Sequence, residues 1–530
     1  MGIYLNPGNL SFQESIDSEI YVDKTGLLVY LNQMIGTRQK NICISRPRRF
    51  GKSMAAEMLS AYYSCGCDSK QLFDGLSVSK AVSFEKYLNK YNVLFFNIQD
   101  FVSRAENMTK VIPYLQKMVI RELQETYGEY FDENETHLAI VLEQLFAKTG
   151  MDFVFIVDEW DCIFREKKSN ADLQKEYLDF LRTLLKDKPY VRLAYMTGIL
   201  PIKKYGTHSA LNMFEEYSMT NADMVAEYVG FTEAEVLELC KRYDMDFTEV
   251  QRWYDGYLFD GNLHIYNPKS VVDAMRRRKL SSYWTQTETY EALKVYIDMN
   301  HDGLRDAVTL MLGGGRCKIN TRTFQNDMTT FKSRDDVLTL LIHLGYLAYD
   351  ERKQEVFIPN QEIEGEYANA VEGAGWKNVI HAIAASEELL EATLRLDCEM
   401  VAKGIEAVHM DNVSIISYNN ESSLSCVISL AYYSARNYYC LKREMPAGRG
   451  FADIVFVPRK EWAADRPALL VELKWNSSAE SAIRQIKRTG YVEALKEYEG
   501  DILLVGINYD KSNKRHECVI EQYKLKKEYF

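Results

Sequence analysis

Four short apolar runs do most to constrain the fold of this chain: "NICIS" (41–45), "NVLFFNI" (92–98), "DFVFIVDEW" (152–160) and "VRLAYMTGIL" (191–200). Each is too short for a helix core and too uniformly apolar for a strand with one face in water. Runs of this kind are buried parallel strands. Between them "KSMAAEMLSAYYS" and "LQKEYLDFLRTLLKD" carry apolar residues at helical spacing. Strand and helix in alternation predict an α/β domain, with a parallel sheet covered by helices on both faces.

The first strand runs into "RPRRFGKS" (46–53), and a helix is expected to open at Lys52. A helix N-terminus with unused amides binds phosphate. Gly51 lets the backbone approach the phosphates, Lys52 reaches the β and γ oxygens, and Ser53 helps to hold Mg2+. Where such a loop usually has its first glycine, this one has Arg46, followed by Pro47, Arg48 and Arg49. Guanidinium groups suit phosphate oxygens, so Arg46 and Arg49 join the candidate nucleotide ligands; the plain alternative is that the loop arginines are simply solvated. A GKS tripeptide also occurs by chance at turns, and the strand ending in Asp158 and Glu159 is what separates the readings. In nucleotide hydrolases the first such acid holds Mg2+ through water and the second polarises the attacking water. Thr197, closing the next apolar strand, is placed to touch the γ-phosphate or that water.

With "YVDKT" (21–25), "VDEWD" (157–161) and "TGILPI" (197–202) beside the loop, the chain resembles the bacterial AAA-ATPase-like proteins of the P-loop class. In that family the arginine-rich loop is the usual form. "WYDGY" (253–257), "IYNP" (265–268) and "YW" (283–284) match further blocks. The resemblance implies ATP as cofactor and a C-terminal PD-(D/E)XK nuclease domain. The family usually continues after "TGILPI" into a Leu-Asn-Asn, where this chain has Leu211, Asn212 and Met213. That departure touches the contacts that would sense the nucleotide. His208 nearby fits a surface loop better than a nucleotide ligand.

In the middle of the chain Thr232 and Glu235 have the spacing of a capping box. Trp253, Tyr254 and Tyr257 read as core. Over 335–363 ("DDVLTLLIHLGYLAYDERKQEVFIPNQEI") a helix, a Gly345-Tyr346 turn and two short strands predict a winged-helix-like unit, and acids at Asp350, Glu351 and Glu355 favour packing over DNA binding.

The last third carries a second constellation. "GRGFADIVFVP" puts Asp453 on a strand, and "PALLVELKWN" puts Glu472 and Lys474 on another. Residues two apart on a strand share a face. If the strands pair, Asp453 meets Glu472, and two carboxylates hold Mg2+. Lys474 would orient a water activated by the ion. Glu421 opens a helix in "YNNESSLSCVISLAYYSA" and offers another carboxylate. Gln485 lies on a helix with Arg484, Lys487 and Arg488, basic enough to meet a phosphate backbone. "DILLVGINYD" reads as a closing core strand. These positions resemble the motif of the PD-(D/E)XK phosphodiesterase fold; the plain alternative is a degenerate copy that binds without cutting.

Ten scattered cysteines form no CxxC pair, and Cys65 and Cys67 stand too close for ordinary zinc spacing. A formal charge of −12 leaves nucleic acid only a local basic patch. No apolar run reaches the roughly 20 residues that span a bilayer, and Asn6 stands where an N-myristoylation signal prefers Ser or Thr, so a cytoplasmic chain without membrane partners is expected. The regions expected are a P-loop domain at 1–225, a helical lid and winged-helix-like region at 226–375, and a nuclease-like domain at 376–530. The leading function is a Mg2+-dependent ATPase joined to a nuclease that acts on nucleic acid, DNA first. A nucleotide-controlled scaffold and a nuclease with a merely structural P-loop are its rivals. Homo-oligomerisation is compatible with each.

Overall fold

The computed structural model describes residues 2–166, 170–202, 211–284, 290–299, 301, 303–326, 328–411, 421–447, 450–489, 495, 498 and 500–523. They divide into two compact units, one of residues 1–288 and 318–364, the other of 289–317 and 365–530. Residues 226–375, expected as one lid and winged-helix-like region, are shared between the two. No helix among the described residues is long and apolar enough to cross a membrane.

The four apolar runs are the strands β1 (Asn41–Ser45), β2 (Asn92–Asn97), β3 (Phe153–Asp158) and β4 (Val191–Gly198). A short β5 (Glu215–Tyr217) completes a parallel sheet in the order β2-β3-β4-β1-β5. β1 and β3 are buried along their whole length. The helices of this unit include α1 (Leu10–Ile16), α2 (Lys52–Tyr63), α3 (Val111–Tyr127), α4 (Leu138–Thr149) and α5 (Ala171–Leu185). α2 and α5 are the two helices expected from sequence spacing. In register, Asp158 at the end of β3 stands across from Thr197 of β4, and Thr197 across from Ile44 of β1. The strand ends that lead into the loop and the acidic pair are therefore level, and α2 opens beside them.

A smaller layer follows: β6 (Phe231–Thr232), α6 (Glu233–Tyr243), α7 (Phe247–Tyr254), the hairpin β7 (Tyr257–Phe259) and β8 (Leu263–Tyr266), and α8 (Pro268–Arg277). The Thr232–Glu235 capping box forms at the start of α6. Tyr254 and Tyr257 are buried, and Trp253 packs partly buried on the same core. The helix, glycine turn and two strands near 334–357 are α9 (Arg334–Leu344), Gly345 and the antiparallel pair β9 (Ala348–Asp350) and β10 (Glu355–Phe357). The hydroxyl of Tyr257 donates to Gly345 O at 2.6 Å, tying that turn to the smaller layer.

The other unit has helices α10 (Lys377–Leu394), α11 (Cys398–Asp411) and α12 (Glu421–Ala431), then strands β11 (Tyr439–Ala447), β12 (Gly450–Pro458) and β13 (Ala468–Trp475). Helix α13 (Ala479–Thr489) precedes β14 (Ile502–Asp510) and β15 (Arg515–Tyr523). The five strands form a mixed sheet in chain order, parallel only between β13 and β14. "DILLVGINYD", expected to close the sheet, instead lies inside it: β15 adds an outer strand. β15 reads RHECVIEQY, too polar and too loosely alternating to be singled out by its pattern. One face of the sheet packs Val455, Leu470 and Leu504 against Ile483 and Ile486 of α13.

Candidate functional site

The loop after β1 surrounds the open end of α2. Gly51 has φ +91°, a left-handed conformation that any side chain would strain, and a Cβ there would meet nothing within 4 Å. It is glycine for its backbone, not for want of space. No acid stands in the first turn of α2, whose amides are left for an outside acceptor. The Lys52 ammonium is buried and donates to Pro47 O at 2.9 Å. Burial draws its pKa down, against the pull of Glu159, Asp161 and Asp158. Ser53 Oγ donates to Asp158 Oδ2 at 2.8 Å, which joins the loop to the acidic strand.

Asp158 is 1% exposed. Burial pushes its pKa up to about 6, although the Ser53 hydrogen bond opposes the shift. Asn97, at the end of β2, reaches the same Oδ2 at 3.5 Å. Glu159 has φ +52° and pairs with Arg165. Arg165 also faces Asp161, whose Oδ2 accepts the amides of Ile199 and Leu200 at 3.2 and 2.8 Å. The carboxylates hold the guanidinium fully charged despite its burial. Asn97, Asp161 and Arg165 were not foreseen. Asp161 lay in the quoted "VDEWD" block, but only the fold brings the other two there.

A cavity of about 1150 Å³ opens over this loop. Arg48, Arg49, Gly51, Lys52, Ser53 and Glu159 form its polar side. Ile20, Tyr21, Val22, Met58, Phe231 and Val272 form an apolar side able to cover a flat ring system. The "YVDKT" block explains how that side is held. Asp23 accepts from Thr25 and from Ser77, and Lys24 pairs with Glu235 at 2.6 Å.

Arg46 departs from expectation. Its side chain is 0% exposed and does not line the cavity. It donates to Ser45 O and Tyr217 O and lies 5.0 Å from the ring of Phe259. The sheet floor and the β7 hairpin enclose it because its stem and planar head pack well; burial lowers its pKa to about 10. Arg46 is thus a packing residue rather than a cavity ligand, while Arg49, exposed with φ +68°, does line the cavity. Thr197 is also fully buried and stands outside the cavity lining. His208 lies outside the described residues.

In the other unit, Asp453, Glu472 and Lys474 come together as their spacing predicts. The antiparallel pairs 454↔471 to 456↔469, continued one step, set Asp453 across from Glu472. Asp453 Oδ2 accepts the Leu473 amide at 2.7 Å. Glu472 is 1% exposed, and Lys474 Nζ lies 3.1 Å from its Oε1. All three share the face of Val455 and Leu470, the face that α13 covers. Gly506, across from Glu472 on β14, permits this: a Cβ there would come 2.3 Å from Ala479 O of α13. Gln485 sits half-buried on α13, with Arg484 and Arg488 exposed and Lys487 paired to Glu521. Glu421 is the first residue of α12, and its side chain lies outside what is described.

Both donor sets fit a hard divalent cation, which prefers oxygen ligands: a hydroxyl and a buried acid in one unit, two strand carboxylates in the other.

Comparison with known proteins agrees with this division. Residues 8–207 match the family described as predicted AAA-ATPase, and residues 419–518 match the PD-(D/E)XK nuclease superfamily. An uncharacterised protein from the vnfD 5′ region of Azotobacter chroococcum is 28% identical over 280 residues, 52% of this chain and 51% of that protein. The chain thus spans about half the length of the curated relative it matches. Among solved structures, a Walker-type ATPase of Pyrococcus abyssi aligns over 65% of this chain and 94% of its own at 12% identity and TM-score 0.34. The ORC2 protein of Aeropyrum pernix aligns over 67% and 97% at 11% identity and TM-score 0.30.

Proposed function

We propose that this chain, in which an AAA-ATPase-like domain is joined to a domain of the PD-(D/E)XK nuclease superfamily, hydrolyses ATP in the first and cuts nucleic acid, DNA first, in the second. The observation that carries the reading is common to both units. Each sets a buried strand carboxylate beside a lysine: Asp158 near Lys52, and Glu472 near Lys474.

In the first unit Lys52 exchanges Pro47 O for phosphate oxygens, and the amides that open α2 take the rest of the triphosphate charge. Arg49 adds charge at the rim. Ser53 and Asp158 would hold Mg2+, which when bound neutralises phosphate charge. Glu159, once turned from Arg165, orients the attacking water. The apolar side of the cavity takes the base.

In the second unit Asp453 and Glu472 would hold a divalent ion, Glu421 adding a third carboxylate. The ion supplies a more acidic water and stabilises charge at phosphorus. Lys474 orients the nucleophile. Gln485, Arg484 and Arg488 bear on the phosphate backbone.

The test incubates the full chain with single- and double-stranded DNA and RNA, with and without ATP and Mn2+. Lys474→Ala and Asp453→Ala should lose cutting by about 100-fold or more and still release phosphate from ATP. Cutting that persists in the Asp453→Ala/Glu472→Ala double variant removes the nuclease assignment and leaves a nucleotide-controlled scaffold.

A further inference from the structure

Three side chains outside both sites converge in the smaller layer of the first unit. Glu233 opens α6, Asp255 follows α7, and His264 lies on β8. One ligand atom of each lies within 4.8 Å of the other two. His264 Nδ1 is 2.8 Å from Asp255 Oδ2, and Glu233 Oε2 accepts from Gln251 Nε2 at 3.1 Å.

Two buried atoms beside them are unsatisfied. Asp255 is 8% exposed, and its Oδ1 finds no hydrogen-bond partner. The hydroxyl of Tyr266 is fully buried and makes no hydrogen bond of ordinary geometry, although the Gln251 side chain approaches it. Leaving such groups unmade costs stability.

We propose that Glu233, Asp255 and His264 form a divalent transition-metal site, filled by Zn2+ or Mn2+. Ligand bonds of about 2.0–2.2 Å set neighbouring donor atoms about 3–4 Å apart, so closing the cluster on an ion asks for side-chain movement of about an ångström. Imidazole favours the borderline metals over Mg2+ and Ca2+, and the carboxylates bring the site to neutrality. Asp255 Oδ1 gains a positive neighbour, and a water on the ion gives Tyr266 its acceptor. The ion would fasten the start of α6, the end of α7 and the β7–β8 hairpin to one another. Phe231 and Gly230, immediately before α6, line the nucleotide cavity, so the site would fix one wall of that cavity.

The test is equilibrium dialysis of the full chain against micromolar ZnCl2 without nucleotide, with metal counted by mass spectrometry. His264→Gln and Glu233→Gln, checked for folding by circular dichroism, should each bind one equivalent fewer than the parent. Co2+ bound to the parent should show visible absorption without a thiolate charge-transfer band, and the variants should lose it. Equal metal content in parent and folded variants overturns the proposal. Anomalous scattering at the zinc edge decides without any variant: a peak among the three side chains supports the site, and its absence there overturns it.

Discussion

Arg46 and Arg49 stand three positions apart in one loop, and burial gives them opposite roles. Arg46→Ala would remove a guanidinium packed on Phe259 and two backbone hydrogen bonds, costing about 2–4 kcal/mol of stability. Arg49→Ala should leave stability within about 0.5 kcal/mol and weaken ATP binding. Chemical denaturation and nucleotide titration of the two variants check this contrast. Asp158 makes a pH prediction. Its folded pKa of about 6 lies above its ordinary value of 3.8, so the native state binds more protons between those limits. Stability contributed by this group is therefore present at low pH and lost as pH rises through about 6. Asp158→Asn should be more stable than the parent by about 2–3 kcal/mol at pH 7 to 8, the difference vanishing near pH 4. Glu57, pushed up to about 7 by burial and in part by the Asp158 charge itself, titrates in the same window and relaxes downward in the variant, so its change is part of the measured difference. The same variant should bind Mg–ATP less well. Denaturant midpoints across pH, with and without nucleotide, measure both effects.

At the scale of elements, α6 and α13 depend on local features that sequence shows and on tertiary ones that it does not. Thr232→Ala breaks the capping box and should cost about 1 kcal/mol. Glu235→Ala should cost more, about 2 kcal/mol, because it also strands the largely buried ammonium of Lys24. Urea unfolding of the two variants gives the comparison. Gly506→Ala drives a methyl group into the backbone of α13. It should separate that helix from the strands bearing Asp453 and Glu472, cost about 2–4 kcal/mol and abolish cutting while sparing ATP binding. The parallel strands, α2, α5 and the capping box were legible because apolar runs, helical spacing and cap chemistry are local signals. β15 was not: an outer strand needs no continuous apolar run, and its pairing with β14 is fixed from outside its own sequence.

For the whole molecule, two units with separate cores predict two thermal transitions by calorimetry. Mg–ATP should raise the transition of the unit holding Lys52 by several degrees, and Lys52→Ala should cancel the rise. A single transition shifted in full by nucleotide would contradict that independence. The sequence by itself determined the P-loop, the acidic strand end and the Glu472–Lys474 pair, because each depends on spacing within a strand or across one turn; that Asp453 joins that pair rests on the pairing of two strands. Tertiary structure alone decided that Arg46 turns inward, that Thr197 is sealed from the cavity, and that Asn97 and Arg165 join the site. It also decided that Glu233, Asp255 and His264 meet. The reason is physical: whether a polar side chain faces a ligand or the core depends on which distant segment closes over it, and local spacing does not encode that closure.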